Sequence, residues 1–367
     1  MRVVIDAVPL LVRSAGVKNY LYHWIRELRR VAGPSQIGTF PPMPELGRLW
    51  HEGSVAPGWR TVSGLAALAL ANHTLLPVLE WLTRGASIFH ASTLTHRPPH
   101  RPRLSATIFD LTCWIMPELH TPANLEAERS FAEVLRRADR LIAISESTRR
   151  DAARVLKIPD GKIVTIYPGV PESYFQVDAA AIAGVRERYK LTRPYVFFVS
   201  TIEPRKNVDT LLDAFAALPK SLRDEFELVV AGPAGWAPAA TFARLASAHY
   251  LGYVPEQDLA PLTAAATVFA YPSLYEGFGF PLAQAMAAGV PAITSNVSSM
   301  PEIAGDAALL IDPRSQSELR GALARLLLSP ELRADLSARG RLRAGQYRWS
   351  SCAAQSLRYF EDLDGAG

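Results

Sequence analysis

The residues best placed to do chemistry are one carboxylate and two cations, each following an apolar run. Glu276 stands in Tyr271-Pro-Ser-Leu-Tyr-Glu-Gly-Phe-Gly-Phe280, directly after Val268-Phe-Ala. Arg205 and Lys206 stand in Glu203-Pro-Arg-Lys-Asn207, shortly after Tyr195-Val-Phe-Phe-Val199. Short apolar runs bounded by Pro and Gly read as buried strands, so each charged group is expected in a loop at a strand end. Gly277 and Gly279 let a ligand approach the backbone. Pro281 suits the first turn of a helix, because its missing N–H would be unpaired there anyway. Leu282, Ala285, Met286 and Ala288 give that helix an apolar face, and Gly289 with Pro291 stops it. The N-terminus of such a helix offers free N–H groups and a partial positive charge. Beside it, an arginine fork and a lysine point charge suit a diphosphate. Cations and a helix N-terminus together can stabilise such negative charge without a metal. Taken singly, each fragment also fits an ordinary strand–loop–helix unit with solvated charges.

Loops of this kind need a sheet to hold them. From Tyr195 onward, strands expected at 195–199, 226–230, 250–253, 268–271, 291–294 and 309–312 alternate with helices, which implies a parallel sheet covered on both faces. The first half has the same alternation. Val3-Val-Ile5 is a strand ending at Asp6, and a loop through Ser14-Ala15-Gly16 leads to a helix over 17–31. That loop lies at the carboxyl end of a strand, where such folds bind ligands, although Gly16 would serve equally as a helix-start residue. Residues 33–62, rich in Pro and Gly, give no clear element; a helix follows over 64–84. Strands are expected at 87–90, 104–110, 140–144 and 162–167, and helices at 124–137 and from Ser145-Glu-Ser147. Ser145 is a good helix cap. Asp110, ending the 104–110 strand, is either a cap or a polar group facing a second substrate. The helix over 17–31 sets Lys18, Arg26, Arg29 and Arg30 beside Tyr20, Leu21, Trp24, Ile25 and Leu28. Such a helix packs its apolar face on the sheet or lies on an anionic membrane surface.

Composition excludes several classes. At 367 residues with 49% apolar content the chain is long enough for two well-packed domains. Its net charge of +4 is too small to imply nucleic-acid binding. Cys113 and Cys352 are far apart and in no metal spacing, so they read as free thiols of a reducing cytosol. Asp6 interrupts the short apolar start and no small-residue cleavage site follows. The most apolar long window, 64–82, contains Asn72, His73, Pro77 and Glu80 and makes a poor membrane span. A cytoplasmic protein is expected, with any membrane association peripheral and on the cytoplasmic face. The one Asp-x-Asp, Asp362-Leu-Asp364, follows no buried strand.

The text EGFGFPLAQAMAAGVPA at 276–292 resembles the retaining GT-B glycosyltransferases, in particular glycosyltransferase family 4 or "group 1". The resemblance extends to Ser200-Thr-Ile-Glu-Pro-Arg-Lys-Asn207, His249-Tyr-Leu-Gly-Tyr-Val254, Pro301-Glu-Ile-Ala-Gly-Asp306 and the region of Trp349, and is looser in the first half. It implies an α/β GT-B fold, two Rossmann-like doubly wound domains facing a cleft. Residues 1–170 would be the acceptor-side domain, 171–194 a linker, 195–346 the nucleotide-sugar domain, and 347–367 a helix crossing back to the first domain. It also implies transfer of a hexose, with retention, from a nucleotide-diphosphate sugar to a glycan or lipid-linked acceptor in polysaccharide or glycoconjugate synthesis. Mannose from GDP-mannose is favoured by resemblance alone. Glu276 would bind hydroxyls of the donor sugar, and Lys206 with Arg205 the diphosphate. Gly16, Glu203, Tyr253, Val254, Gly277, Phe278, Gly279, Phe280 and Gln284 would complete the donor site, with Asp110, His120 and Ser145 on the acceptor side. Neither metal nor other cofactor is expected.

The chain departs from the family pattern at three places. Phe109 replaces a usual His, for which His120 is the nearby substitute. Thr201 replaces a usual Arg, for which Arg205 can compensate. Gln284 replaces the second acid of the motif, and an amide offers one acceptor group and one donor group where a carboxylate accepts twice. These departures keep open a non-catalytic relative that binds nucleotide or glycan. Another GT-B enzyme, an epimerase or phosphorylase, is the remaining alternative.

Overall fold

A computed structural model describes residues 1–14, 16–74 and 76–365. Ala15, expected in the first loop, and Leu75, within the helix expected over 64–84, lie outside the described residues. The chain forms two compact units: Met1–Gly169 with Trp349–Gly367, and Val170–Arg348.

In unit 1, β1 (Val3–Asp6), β2 (Ile37–Phe40), β3 (Ile88–Ala91), β4 (Arg103–Ile108), β5 (Arg140–Ala143) and β6 (Ile163–Thr165) form a parallel sheet ordered β2-β1-β3-β4-β5-β6. Successive strand residues point to opposite faces, and both faces are covered. Phe89, Leu104 and Ala106 pack with Leu68 and Ala71 of α2 (Gly58–His73), Leu79 of α3 (Val78–Leu82), and Phe131 and Leu135 of the Pro122–Arg137 helix. The opposite face carries α1 (Gly16–Ala32) and the helix Trp349–Gly365. Trp24 Nε1 donates to Ser356 Oγ at 2.9 Å, and the Trp24 and Phe360 rings lie 6.0 Å apart. Below them His90 is bonded to Ser105 Oγ and Thr107 Oγ1, both at 2.9 Å, and Ser105 Oγ to Tyr359 OH at 2.7 Å. Burial holds the His90 imidazole down at about 3, so it stays neutral beneath the two helices. The C-terminal helix therefore returns to the first half of the chain.

Several expectations need correction here. Tyr20, Leu21, Trp24, Ile25 and Leu28 of α1 are all buried, and Lys18 Nζ is tied to the carbonyls of Trp50 (3.1 Å) and Gly53 (2.6 Å). The apolar face of α1 is used on the sheet and the last helix, so it is not a membrane face. The stretch 33–62 contains β2. The helix expected over 64–84 is two helices, because Pro77 caps α3 and cannot continue α2. No helix among the described residues is long and apolar enough to cross a membrane.

In unit 2, β7 (Tyr195–Val199), β8 (Glu227–Ala231), β9 (His249–Tyr250), β10 (Val268–Tyr271), β11 (Ala292–Ser295) and β12 (Ala308–Ile311) form a parallel sheet ordered β12-β11-β10-β7-β8-β9. Residues 171–194, expected as a linker, carry the helices Glu172–Phe175 and Ala179–Arg188 and fall within this unit. The chain runs outward from β7 to β9, then returns to the other side of β7 as β10 and continues to β12. At this reversal the loops leaving β7 and β10 diverge from paired neighbours, Val196 lying opposite Val268 and Phe197 opposite Phe269. Open α/β sheets bind ligands at such a switch point, outside the carboxyl ends of the strands.

Candidate functional site

The two charged loops of the sequence meet at that switch point. After β7, a single 3-10 turn over Pro204–Lys206 ends at Asn207, whose left-handed backbone (φ 58°) asparagine tolerates better than most residues. Asn207 Nδ2 donates to the carbonyls of Pro272 (3.0 Å) and Pro313 (2.7 Å), and Leu274 N donates to the Arg205 carbonyl at 2.8 Å. The β7 and β10 loops are thus sewn together by backbone-directed bonds before any charged side chain is counted.

Glu276 sits at the centre and is buried. Its Oε1 accepts from Lys206 Nζ at 2.6 Å, Ser273 Oγ at 2.7 Å and Tyr271 OH at 2.8 Å. Its Oε2 lies 3.0 Å from Arg205 NH1. Arg205 NH2 reaches Glu203 Oε1 at 2.8 Å, so two cations face two carboxylates. Tyr271 OH also accepts from Lys206 Nζ at 3.0 Å. Burial alone would raise the Glu276 pKa, but Arg205 and Lys206, with hydrogen bonds from Lys206 and Ser273, overcome it and hold the carboxyl at about 2. Glu276 is therefore a carboxylate throughout the neutral range. Burial, foremost, and the Glu276 charge push the Tyr271 phenol well above its ordinary value.

The backbone of this loop is fixed as well. Glu276 N donates to Ser298 Oγ (3.0 Å), and Ser299 Oγ donates to the Glu276 carbonyl (2.9 Å). Gly279 has φ 91°, and a Cβ there would lie 2.1 Å from Met300 Cε, so any side chain at this position is strained. It immediately precedes the helix Phe280–Ala287, whose first turn carries Pro281. The site can thus offer a carboxylate, two cations and a helix N-terminus within one loop pair.

The expected donor-side residues divide. Glu276, Arg205, Lys206 and Glu203 come together, and Gly277 and Gly279 flank the carboxylate. Phe278 is a core side chain, edge-on to Phe280 (5.2 Å) and Tyr347 (5.3 Å), and Val254 is buried; neither presents its side chain to a ligand, because an apolar group at a strand or helix end fills the core first. Phe280 and Gln284 are half-buried on the helix following Gly279, and Tyr253 is half-buried after β9. Gly16, in unit 1, is the exposed first residue of α1, and a Cβ there would touch nothing within 4 Å. Tyr271, Ser273 and Asn207 were not singled out by sequence. Their one signal is a hydroxyl or amide at the carboxyl end of a strand beside the charged loops.

On the acceptor-side list, Ser145 is buried and caps the Glu146–Val155 helix, its Oγ accepting from Thr148 N at 3.0 Å. Asp110 Oδ1 accepts from Thr112 N (3.1 Å) and Thr112 Oγ1 (2.6 Å), closing the turn after β4. Glu128 on the Pro122–Arg137 helix is raised to about 8, chiefly by burial and then by the Asp110 charge. His120 follows the 3-10 turn Pro117–Leu119 and is half-buried. Phe109 packs edge-on to Tyr20, with ring centroids 5.1 Å apart. No group of three or more His, Cys, Asp or Glu among the described residues could hold a metal ion.

Comparison with known proteins adds family context. The model of the "Glycosyl transferases group 1" family matches residues 185–343, and that of "Glycosyltransferase Family 4" matches 14–174. O-antigen chain mannosyltransferase B of Escherichia coli is 34% identical over 274 residues, 72% of this chain and 72% of that protein. A GDP-mannose-dependent alpha-(1-6)-phosphatidylinositol monomannoside mannosyltransferase of Mycobacterium tuberculosis is 32% identical over 226 residues, 57% of this chain and 58% of that protein. The solved sucrose-phosphate synthase of Thermosynechococcus elongatus superposes over all of both chains with a TM-score of 0.74 at 20% identity, a likeness of fold.

Proposed function

The chain belongs to glycosyltransferase family 4, the group 1 glycosyl transferases, and on that premise we propose that it moves mannose from GDP-mannose to a glycan or lipid-linked acceptor. Transfer with retention of configuration is the property of this family. The mannosyltransferase names of the relatives, one of them GDP-mannose-dependent, support the donor. The observation that carries the reading is the buried Glu276 carboxylate held by Lys206 and Arg205 at the strand reversal of unit 2.

The chemistry follows from that arrangement. A diphosphate brings more negative charge than one carboxylate, so it competes with Glu276 for Lys206 and Arg205. Once the cations turn to the diphosphate, the Glu276 oxygens are free to accept from hydroxyls of the sugar. As the bond to the sugar breaks, charge grows on the departing diphosphate, where both cations and the helix N-terminus stabilise it. No metal is required for this step. Gln284 lies about one turn into the helix Phe280–Ala287, which follows the Glu276 loop, and would meet the ribose hydroxyls with one acceptor group and one donor group. Transfer would take place at the cytoplasmic face of a membrane, where polysaccharide precursors are lipid-linked.

Two measurements test this. Hydrolysis of GDP-mannose without added acceptor should be slow but detectable, and Glu276→Ala should abolish it while a cooperative unfolding transition, at a lowered temperature, shows that the variant still folds. Equal hydrolysis by both proteins refutes the role. Lys206→Ala should weaken GDP binding more than guanosine binding; equal losses contradict a phosphate contact. A non-catalytic nucleotide-binding relative is the second reading, favoured by Phe109, whose ring is committed to Tyr20. GDP binding at micromolar strength without hydrolysis or transfer would select it.

A further inference from the structure

The solvent face of α2 and α3 carries a stripe that a solvent-exposed helix pair does not need. α2 has sixteen residues, and Arg60 is its one Arg, Lys, Asp or Glu. Leu68 and Ala71 are buried against the sheet, and Gly64 against Leu11 and Pro41. On the other side Trp59, Val62, Ala66, Ala69 and Leu70 recur at helical spacing and are exposed, Trp59 at 69% and Val62 at 68%. Leu76, and Trp81 and Leu82 of α3, extend the exposed apolar surface. A helix apolar on both sides belongs in a core or in contact with lipid.

The charge of the segment that carries this stripe is one-sided. Residues 53–103 contain five arginines, no lysine and a single acid, Glu80, so the whole net charge of the chain, +4, resides in this segment. Arg84, Arg97, His100 and Arg101 are exposed. The basic loop is fastened to the helices: Asn72 Nδ2 donates to the Leu94 carbonyl (2.9 Å), His96 N to Asn72 Oδ1 (3.0 Å) and Arg97 NH1 to the Thr74 carbonyl (2.7 Å). Glu80 is taken up in accepting from His100 N. Tryptophans on an apolar strip bordered by arginines match the interfacial layer of a bilayer and its anionic headgroups.

We propose that the exposed face of α2 and α3 docks unit 1 on an anionic phospholipid bilayer. The proposal deepens the membrane part of the function proposed above and places the contact not on α1, for which the sequence left a membrane face open, but on the next two helices. It stands apart from the donor chemistry of unit 2.

The test is co-sedimentation of the full chain with vesicles of phosphatidylglycerol and phosphatidylcholine in equal parts, against phosphatidylcholine alone, in low and high salt. Binding at least tenfold stronger to the anionic vesicles, falling as salt rises, is expected. Trp59→Ser with Trp81→Ser should reduce it at least tenfold, and Arg84→Ala with Arg101→Ala should remove the lipid-charge preference. Both variants should keep the wild-type unfolding temperature and GDP binding. Wild-type protein that ignores both vesicles, or variants that bind as wild type does, overturns the proposal. So does a concentration-dependent dimer, seen by sedimentation, that the tryptophan variant abolishes, since the face then belongs to a second copy of the chain. Vesicle binding without GDP binding would leave this surface standing and refute the transferase reading instead.

Discussion

Replacing Glu276 by glutamine tests whether the carboxylate is held ionised by its two cations. Its pKa is about 2 in the folded protein against an ordinary value of 4.5. A depressed carboxyl stabilises the fold above its unfolded pKa, and that contribution is lost as pH falls through the folded value. At about 1.4 kcal/mol per decade, the gap corresponds to roughly 3 kcal/mol at pH 7, and roughly 2 kcal/mol of it should be gone by pH 3. Glutamine cannot titrate. The stability difference between wild type and Glu276→Gln, from urea unfolding, should therefore shrink by about 2 kcal/mol between pH 7 and pH 3. The substitution also leaves Lys206 and Arg205 short of a partner, a cost that is nearly constant over this range. The change in the gap, and not its size, is thus diagnostic. A gap that stays constant within about 0.5 kcal/mol would refute the electrostatic account of the site.

Three further outcomes follow. Tyr271→Phe removes a donor to Glu276 and an acceptor from Lys206; it should cost about 1–2 kcal/mol in urea unfolding at neutral pH. Gly279→Ala meets a positive φ and the Met300 methyl; a loss of roughly 2 kcal/mol or more is expected, read by the unfolding temperature. Glu128 is raised to about 8, so it costs stability as pH climbs from its unfolded value toward 8. Glu128→Gln should then add roughly 4 kcal/mol at pH 8 and little at pH 4, and equal effects at both values would contradict the shift.

The parallel strands and the charged loops were open to sequence reading for the same reason. A parallel sheet buried on both faces needs continuous apolar runs, and a charged residue directly after such a run has to leave the core. β2 escaped because its four residues lie in a stretch rich in Pro and Gly. α1 was read two ways because an apolar stripe looks alike whether a sheet or a lipid covers it; Ser356 and Phe360, more than 300 residues away, decide the matter. The inner partners of Glu276 were illegible for a different reason. Tyr271 ends an apolar strand and looks like core, and only the pairing of β10 with β7 brings Lys206 to its hydroxyl. Phe278 shows the opposite limit: its place in the motif suggested a ligand contact, and its ring fills the core against Tyr347, which leaves its backbone for such a contact.

The path of the chain between the two units has a consequence for how the protein is made. Gly169 lies against Trp349, where unit 1 is left and rejoined, and Val170 pairs with Arg348 on the other side of that point. Unit 2 is thus an insertion whose two ends enter and leave at one place. During translation, unit 2 can be completed as soon as residue 348 clears the ribosome. Unit 1 begins first but waits for the helix Trp349–Gly365 to cover Trp24 and His90. Until then the α1 face of its sheet remains open, and the earliest-synthesised half of the chain is the last to be finished.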